Sequence, residues 1–369
     1  MKILMLMMEA GSGHKAPAMA LKQNIEETYP GQHEIEVIDF AKVLECTKFD
    51  SFYKNTWNFF LKKPFLFSLT YSIVNTRFAK LNESIITRKV TDKVEGFIKG
   101  FKPDIIVSTH FTSSNILAKL TEKKKINLPC VAIITDPFNK HRIWVNKNNF
   151  NVVFSENAKK YLISKGIVGS HVKHFSFPLR APFSKKLPSK EELRTKLGFG
   201  KDKFVFFISS GGEGIGNMEV TVKKLLAAKI NNLQIVVVAG RNQNLYENLK
   251  SLNAGSDLKI FGYVNNMEEI LKASDLICGK TGASFTFEAL SLGKPLLFNQ
   301  TIANEFPTRD AIVNGGMAWY VPKPNQIVSF VKKITKDKSE LNRVANNVKK
   351  FNFKSGTSEI AQYILNLIH

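Results

Sequence analysis

The sequence predicts an α/β protein made of two doubly wound domains, and three observations support this fold class. Short apolar runs alternate with amphipathic helical stretches along all 369 residues, which is typical of parallel βαβ units. Runs such as Val-Phe-Phe-Ile at 205–208 are apolar on every face, as strands covered by helices on both sides of a sheet require. The length suits two domains, at roughly 100–200 residues each.

Eleven apolar runs are predicted as strands, six of them before a break in the pattern and five after it. They are Ile3–Met8, Ile35–Phe40, Asp104–Thr109, Cys130–Thr135, Val152–Ser155, Val172–Phe175, Phe204–Ser209, Leu233–Ala239, Leu258–Val264, Asp275–Gly279 and Pro295–Asn299. The break at 177–190 (FPLRAPFSKKLPSK) holds three prolines and three lysines, which prevent regular structure there.

We therefore expect two Rossmann-like domains joined by a linker. The N-terminal domain would span residues 1–178, the linker 179–190 and the C-terminal domain 191–350. Helical spacing in residues 351–369 predicts a last helix that could return to the N-terminal domain. Doubly wound sheets bind ligands at the carboxyl ends of their strands, so the expected binding site is a cleft between the two domains.

The charge balance is strongly basic, with 53 Lys and Arg against 31 Asp and Glu, a net charge of +22. A basic surface attracts nucleic acid, anionic membranes or phosphorylated ligands, although a lysine-rich proteome would give the same excess. Cys46, Cys130 and Cys278 lie far apart and form no C-x-x-C pair. Neither a zinc site nor a disulfide framework is therefore expected, and a reducing compartment fits best.

Membrane contact, if it occurs, is expected to be peripheral. The apolar start at 1–9 is too short for a signal peptide and has no cleavage site, so it is interpreted as a buried first strand. No apolar run approaches the roughly 20 residues that span a bilayer.

A glycine-rich turn, Gly11-Ser12-Gly13-His14, follows the first predicted strand and precedes a helix expected to open near Pro17. Glycines at such a turn let backbone N–H groups approach an anion or a sugar closely. The turn matches neither G-x-G-x-x-G nor a P-loop. A neutral imidazole at His14 could take a proton from an attacking hydroxyl, whereas the alternative is a histidine that only packs or caps at a helix start.

The second half offers groups suited to a nucleoside diphosphate. The loop Ser209–Gly216 (SSGGEGIG) contains Gly211 and Gly212 and is a natural diphosphate seat before a helix. Arg241 follows a later strand and could bind a phosphate through its planar guanidinium. Glu288, on a helix, could accept both hydroxyls of a ribose, although an isolated helical Glu is more often solvated.

Residues 51–82 contain no acidic residue and mix aromatic with basic side chains. This mixture suits the headgroup region of an anionic membrane, where each Lys or Arg contributes about 1 kcal/mol. An ordinary helical pair with an aromatic core face is the alternative. Single-stranded nucleic acid would also suit such a surface, but no RNP, KH or zinc motif supports a nucleic-acid partner. The residues expected at the membrane are Trp57, Phe59, Phe60, Lys62, Lys63 and Phe65.

Taken in order, these segments and several others resemble one family over nearly the whole chain. It is the family of monogalactosyl- and processive glucosyl-diacylglycerol synthases, which is related to the peptidoglycan lipid-intermediate N-acetylglucosaminyltransferases. The matching segments are Gly11–Lys15 (GSGHK), Asp104–His110 (DIIVSTH), Thr135-Asp136 with His141–Trp144 (T-D…H-x-x-W), Gly240–Asn242, Gly262–Val264, Lys280–Gly282, Glu288–Leu290 and Asn304-Glu305.

The resemblance implies a GT-B fold and a membrane-associated, inverting hexosyltransferase. The donor would be a UDP-sugar and the acceptor diacylglycerol or a glycosyl-diacylglycerol, at the cytoplasmic face of the cell membrane. No metal or other cofactor is implied. His14 matches the proposed base. The implied nucleotide-sugar residues are Gly211, Gly212, Arg241, Gly262, Val264, Lys280, Gly282, Glu288 and Glu305, and the implied acceptor-side residues are Gly13, Asp136, His141 and Trp144.

Two segments depart from the family pattern. Gly282–Phe285 replaces G-G-[LI]-T, with Thr286 one place late, and Ala303–Thr308 replaces G-Q-E-x-x-N. Three alternatives therefore stay open. They are a peptidoglycan lipid-intermediate transferase, a UDP-N-acetylglucosamine 2-epimerase, which has a soluble substrate, and a non-catalytic membrane or polyanion binder on the same fold.

Overall fold

The computed structural model describes residues 1–9, 12–44, 64–75, 79–209 and 217–368. The chain forms two compact units. The first comprises residues 1–181, 302–304 and 355–369, and the second comprises residues 182–301 and 305–354. In the described ranges, each unit is built on one six-stranded parallel sheet.

The sheet of the first unit has the strand order β2-β1-β3-β4-β5-β6. Leu4 lies at the centre of the pairing, with Glu36 on one side and Ile106 on the other. The strands are fully apolar where they are central, so helices must cover both faces. The bounds are β1 (Lys2–Met7), β2 (Glu34–Asp39), β3 (Ile105–Ser108), β4 (Cys130–Ile133), β5 (Phe150–Val153) and β6 (Val172–His174).

The helices of the first unit bury apolar stripes against this sheet. Leu4 and Leu6 of β1 pack in one core cluster with Val94 and Leu117, which lie on two of the helices. No helix within the described ranges is both long and apolar enough to cross a membrane. The bounds are α1 (Ser12–Thr28), α2 (Phe40–Val43), α3 (Pro64–Val74), α4 (Ala79–Phe101), α5 (Phe111–Glu122), α6 (Glu156–Ser164) and, at the end of the chain, α15 (Thr357–Leu365).

The second unit repeats the plan with the strand order β12-β11-β10-β7-β8-β9. Its strands are β7 (Phe204–Ser209), β8 (Leu233–Val238), β9 (Leu258–Phe261), β10 (Leu276–Lys280), β11 (Leu296–Gln300) and β12 (Ala318–Tyr320). Its helices are α7 (Lys190–Leu197), α8 (Met218–Ala227), α9 (Gln243–Lys250), α10 (Met267–Ala273), α11 (Ala283–Ser291), α12 (Phe306–Asn314), α13 (Pro324–Lys336) and α14 (Ser339–Phe351).

The eleven predicted strands are all present, with ends that differ by a few residues. The short edge strand β12 was not predicted. The prediction that the first helix opens near Pro17 was wrong, since α1 begins at Ser12. Pro17 lies in the second turn of α1, where its missing N–H costs the helix only one hydrogen bond.

The end of the chain is held against the segment that follows β6 in the first unit. The backbone N–H of Leu179 donates to Oγ of Ser355 (2.9 Å), and Oγ1 of Thr357 donates to the carbonyl of Leu179 (2.9 Å). A Cβ placed on Gly356 would lie 2.3 Å from the carbonyl oxygen of Ser176. Helix α15 then packs on α1, where Asn24 Nδ2 donates to Oγ of Ser358 (3.0 Å).

We expect Gly356→Ala to lower the free energy of unfolding by about 1–3 kcal/mol, because the backbone of Ser176 cannot yield as a flexible side chain would. The control is Gly96→Ala in α4, where an added Cβ meets nothing within 4 Å. That change should stabilise the protein by about 0.5–1 kcal/mol, because Ala is the better helix former. Denaturant unfolding measures both, and a Gly356→Ala protein as stable as the wild type would contradict the contact.

Candidate functional site

The carboxyl ends of parallel strands lie along one edge of a sheet, and most of the predicted site residues follow such ends. In the first unit they follow β1 and β4, which lie on either side of β3 in the sheet. In the second unit they follow β8, β9, β10 and β11. Each unit therefore gathers its own set of polar groups at one edge.

His14 is held by the segments that follow β3 and β4. It lies in the first turn of α1, and its Nδ1 is 2.7 Å from the carbonyl oxygen of Thr109 and 2.9 Å from Oγ1 of Thr135. Oγ1 of Thr109 in turn donates to the His14 carbonyl (2.8 Å). A carbonyl oxygen can only accept, so Nδ1 carries the hydrogen. The lone pair of the neutral ring is therefore on Nε2, the nitrogen that a general base would use.

A second imidazole lies beside His14. The rings of His14 and His110 meet edge to face, with centroids 4.7 Å apart. His110 is fully buried and caps α5, where its Nδ1 accepts from the backbone N–H of Thr112 (3.2 Å). Burial, with a smaller contribution from the nearby His14, holds the pKa of His110 well below its ordinary value. His110 therefore stays neutral and adds no positive charge beside the candidate base.

Asp136 organises the loop after β4. One carboxylate oxygen accepts from Trp144 Nε1 (2.9 Å) and from Asn139 Nδ2 (3.4 Å), and the other accepts from Asn304 Nδ2 (3.2 Å). Trp144 itself is buried in an apolar cluster with Ile134 and other core residues. Trp144 therefore supports the loop from within the protein.

His141 is also used within the protein, where it joins this loop to helix α3. Its Nδ1 accepts from the backbone N–H of Ile143, so Nε2 carries the hydrogen and donates to the carbonyl of Tyr71 (2.8 Å). The two rings stack with centroids 3.9 Å apart, and Asn139 Nδ2 donates to the Tyr71 hydroxyl. Burial raises the pKa of Tyr71 far above its ordinary value, so the phenol stays neutral. No pattern in the sequence indicates this contact.

In the second unit, the turns after β8 and β9 lie side by side. A Cβ on Gly262 would be 3.9 Å from the carbonyl oxygen of Gly240. The exposed Arg241 guanidinium lies over the ring of Tyr263, 5.3 Å from its centroid. The Tyr263 ring is 64% exposed, so this Arg–Tyr pair is presented to solvent next to Val264. A flat cation on an aromatic ring suits a planar or anionic ligand.

Lys280, Gly282 and Glu305 are brought together at the ends of β10 and β11. Glu305 Oε2 accepts from Oγ1 of Thr281 (2.8 Å), which in turn lies 2.8 Å from Oγ1 of Thr301. The other oxygen, Oε1, is 3.9 Å from the Lys280 ammonium. Two threonine hydroxyls therefore fix the carboxylate beside a cation, and such a donor–acceptor pair can recognise the hydroxyls of a sugar.

Helix α11 shows how the altered donor segment folds. The Phe285 ring stacks on Phe207 and would lie 2.5 Å from a Cβ on Gly279, so Phe285 fills the space against the strand. Ser284 and Thr286 are buried, and within the described residues their hydroxyls have no hydrogen-bond partner.

Three of the remaining predicted residues lie in the described ranges. Glu288 lies in the second turn of α11 and is 6% exposed. Gly13 has open space around it, since a Cβ there would meet nothing within 4 Å. Phe65 begins the apolar face of α3 and is 79% exposed. The other predicted residues lie outside the described ranges and are Gly211, Gly212, Trp57, Phe59, Phe60, Lys62 and Lys63.

No group of three or more His, Cys, Asp or Glu side chains that could hold a metal ion occurs in the described part of the chain. The two cysteines described, Cys130 and Cys278, are buried and free, and burial raises the pKa of Cys130 to about 12. Neither thiol is therefore a reactive thiolate at neutral pH. Metal-independent chemistry stays a prediction.

Comparison with known proteins agrees with this arrangement. The family model for monogalactosyldiacylglycerol synthase matches residues 14–179, and the glycosyltransferase family 28 C-terminal domain matches residues 209–360. A probable chloroplastic monogalactosyldiacylglycerol synthase from Nicotiana tabacum is 28% identical over 346 residues, which cover 89% of this chain. They cover 64% of the tobacco protein, so this chain spans less than two thirds of that relative.

Solved structures support the fold. HepE from Anabaena, solved with UDP-glucose, superposes with a TM-score of 0.58 at 15% identity, covering 99% of this chain and 98% of its own. A putative UDP-N-acetylglucosamine 2-epimerase from Listeria monocytogenes gives 0.62 at 14% identity, covering 99% of this chain and 94% of its own. The predicted α/β fold class is confirmed.

The two parallel sheets and the two matched domains define the GT-B fold of glycosyltransferases. Within that class, residues 14–179 match the monogalactosyldiacylglycerol synthase family and residues 209–360 match the family 28 C-terminal domain.

The neutral, buried His110 predicts a loss of stability in acid. Below its ordinary pKa of 6.5, the unfolded chain takes up a proton at His110 that the folded protein cannot accept. The free energy of unfolding should therefore fall as pH drops below 6.5, by up to about 1.4 kcal/mol per pH unit from this residue. His110→Asn keeps a good helix cap without the titration and should remove that part of the slope. Denaturant unfolding at several pH values between 7 and 5 measures this. If the free energy of unfolding falls equally in the wild type and in His110→Asn, the burial of a neutral ring is contradicted.

Proposed function

We propose that the protein is a membrane-associated glycosyltransferase that moves a hexose from a UDP-sugar to diacylglycerol or to a glycosyl-diacylglycerol. Matches to family models in both halves of the chain support the reaction class. One observation supports the proposed chemistry in particular. His14, the first residue matched by the synthase family model, is held on a carbonyl oxygen in the tautomer that a base needs.

In this proposal, the second unit binds the donor. Arg241, which lies over Tyr263, and the N-terminus of α11 offset the charge of the diphosphate. The loop with Gly211 and Gly212 also binds the diphosphate. The Gly262–Val264 backbone contacts the uracil, Glu288 binds the ribose, and Glu305 with Lys280 faces the sugar. These roles come from the family resemblance, and the fixed Glu305 carboxylate supports the last of them.

The first unit activates the acceptor. The acceptor hydroxyl oxygen attacks the anomeric carbon while its proton moves to Nε2 of His14. The bond from the anomeric carbon to the UDP oxygen breaks, and UDP leaves with the bonding electrons. Because the hydroxyl attacks opposite the leaving group, the configuration inverts. The reaction as proposed needs no metal, since cationic side chains and helix N-termini stabilise the leaving group.

The rival functions are less well supported. The epimerase shares the fold at 14% identity, which carries no information on the reaction. Both matched family models, by contrast, describe glycosyltransferases or their domains. A peptidoglycan lipid-intermediate transferase and a non-catalytic binder remain outcomes of the activity test.

We expect His14→Ala to lower kcat by roughly 10²–10⁴-fold, because the hydroxyl loses its base. The assay is incubation with a panel of UDP-sugars and diacylglycerol in anionic vesicles, followed by mass analysis of the lipids. UDP binding, measured by calorimetry, should survive the change.

The control is His174→Ala, which alters a partly exposed histidine paired with Glu156 in the same unit. It should leave turnover unchanged. Unaltered turnover in His14→Ala would exclude His14 as the base. A wild-type protein that glycosylates no lipid with any of the sugars would refute the proposed reaction.

Helix α3 supports the proposed contact with the cytoplasmic face of a membrane. Phe65, Leu69 and Ile73 are spaced by four residues, share one face of α3 and are 79%, 51% and 56% exposed. Leu66 beside them is 36% exposed. Tyr71 on the same helix contacts His141, so α3 is fixed to the protein while this stripe stays in solvent. An exposed apolar stripe in a lysine-rich region suits a lipid surface with anionic headgroups.

We expect the double change Leu69→Ser with Ile73→Ser to weaken binding to anionic vesicles by at least about tenfold, because burying one such side chain contributes about 1.5–3 kcal/mol. Vesicle co-sedimentation measures this. The matched control is Ile163→Ser with Val168→Ser, which removes two other exposed apolar side chains of the first unit and should change little.

Salt should weaken the binding of the wild-type protein, because exposed charges are screened. If neutral and anionic vesicles bind equally at every salt concentration, the electrostatic part of the proposal is wrong. If both double variants bind as the wild type does, α3 is not the contact.

A further inference from the structure

The buried hydroxyl of Thr135 lies against the imidazole of His14. Thr135 follows β4 and is 4% exposed. Its Oγ1 lies 2.9 Å from His14 Nδ1 and 3.4 Å from the carbonyl oxygen of Thr109, which is itself 2.7 Å from the same Nδ1. Nδ1 therefore faces two oxygens, one from the segment after β3 and one from the segment after β4.

The three distances select one arrangement of hydrogens. If the Thr135 hydroxyl donated to Nδ1, the ring nitrogen would present a lone pair to the Thr109 carbonyl oxygen at 2.7 Å, which is repulsive. Nδ1 instead carries the hydrogen and shares it between the carbonyl and Oγ1 of Thr135. The Thr135 hydroxyl hydrogen then points towards the Thr109 carbonyl. Two acceptors on Nδ1 restrict rotation of the ring and so fix the direction of Nε2.

We propose that Thr135 is a positioning residue, which fixes the orientation of the His14 imidazole and stabilises the imidazolium that forms when the acceptor proton arrives. This inference rests on the proposed function of His14 as the base. A protonated ring is a stronger donor than a neutral one, so the hydrogen bond to Oγ1 strengthens as the proton is taken up. The hydroxyl thus favours the state reached during the reaction over the resting state.

Among the described residues, few other charged or titratable groups lie near His14 and could change its pKa. From the start of α5, His110 faces the ring and stays neutral because it is buried. From the start of α1, Lys15 pairs with Glu9 at 3.4 Å. From the loop after β4, Asp136 binds Trp144, Asn139 and Asn304.

The test compares Thr135→Val, which keeps the shape and removes the hydroxyl, with Thr135→Ser, which keeps the hydroxyl. We expect Thr135→Val to lower kcat by about tenfold or more and to leave the KM for the UDP-sugar unchanged. The acidic limb of the pH–rate profile should move to lower pH, because the imidazolium has lost an acceptor and its pKa falls. Thr135→Ser should restore both properties. Damage to the fold alone would move neither the limb nor the ratio of kcat to KM in this way.

A second measurement does not depend on turnover. Nitrogen NMR of the imidazole in the intact protein reports the tautomer and pKa of His14, with His14→Ala used to assign the signal. The wild type should be protonated on Nδ1, and Thr135→Val should lower the His14 pKa. If the NMR change appears but no lipid is glycosylated, the proposed function fails, and only the effect of Thr135 on the His14 ring stands. If the wild type is active and Thr135→Val leaves the pH profile and NMR signal unchanged, the inference about Thr135 is wrong.

Discussion

The parallel direction of the strands is the constraint on which the rest of the structure depends. A parallel strand must be reached by a crossover, so helices cover both faces of each sheet and every strand can be apolar throughout. The same direction places all carboxyl ends of a sheet at one edge, where the connecting turns bring polar groups together. In this protein those turns carry Thr109, Thr135, Arg241 and Glu305. Fold stability and the placement of polar groups therefore have one origin.

The polar groups at these edges are fixed by neighbours that contribute no charge. The carbonyl of Thr109 and the hydroxyl of Thr135 orient His14, and the hydroxyl of Thr281 orients Glu305. The neutral hydroxyl of Thr281 orients one oxygen of Glu305, while the Lys280 ammonium lies 3.9 Å from the other. A base with such support keeps a lone pair that can take up a proton, and a carboxylate so held can still accept from a ligand.

The sequence predicted the fold, but it did not predict which of the expected site residues are used inside the protein. His141 and Trp144 were expected on the acceptor side, and both are buried, with their ring nitrogens bonded to Tyr71 and Asp136. Their spacing in the sequence marks them as a unit but does not tell a ligand contact from an internal one. Thr135 was noted only as part of a motif, because a lone threonine at the end of a strand has no distinctive pattern.

The sequence by itself determined what depends on local pattern: the strand and helix order, the parallel sheets, and the family signature from His14 to Glu305. These follow from periodicity and from residue types read a few positions at a time. The tertiary structure alone decided which oxygen meets Nδ1 of His14, which threonine holds Glu305, and which face of α3 stays in solvent. The physical reason is that each depends on groups separated by many residues, such as the 121 positions between His14 and Thr135, and only packing sets those distances.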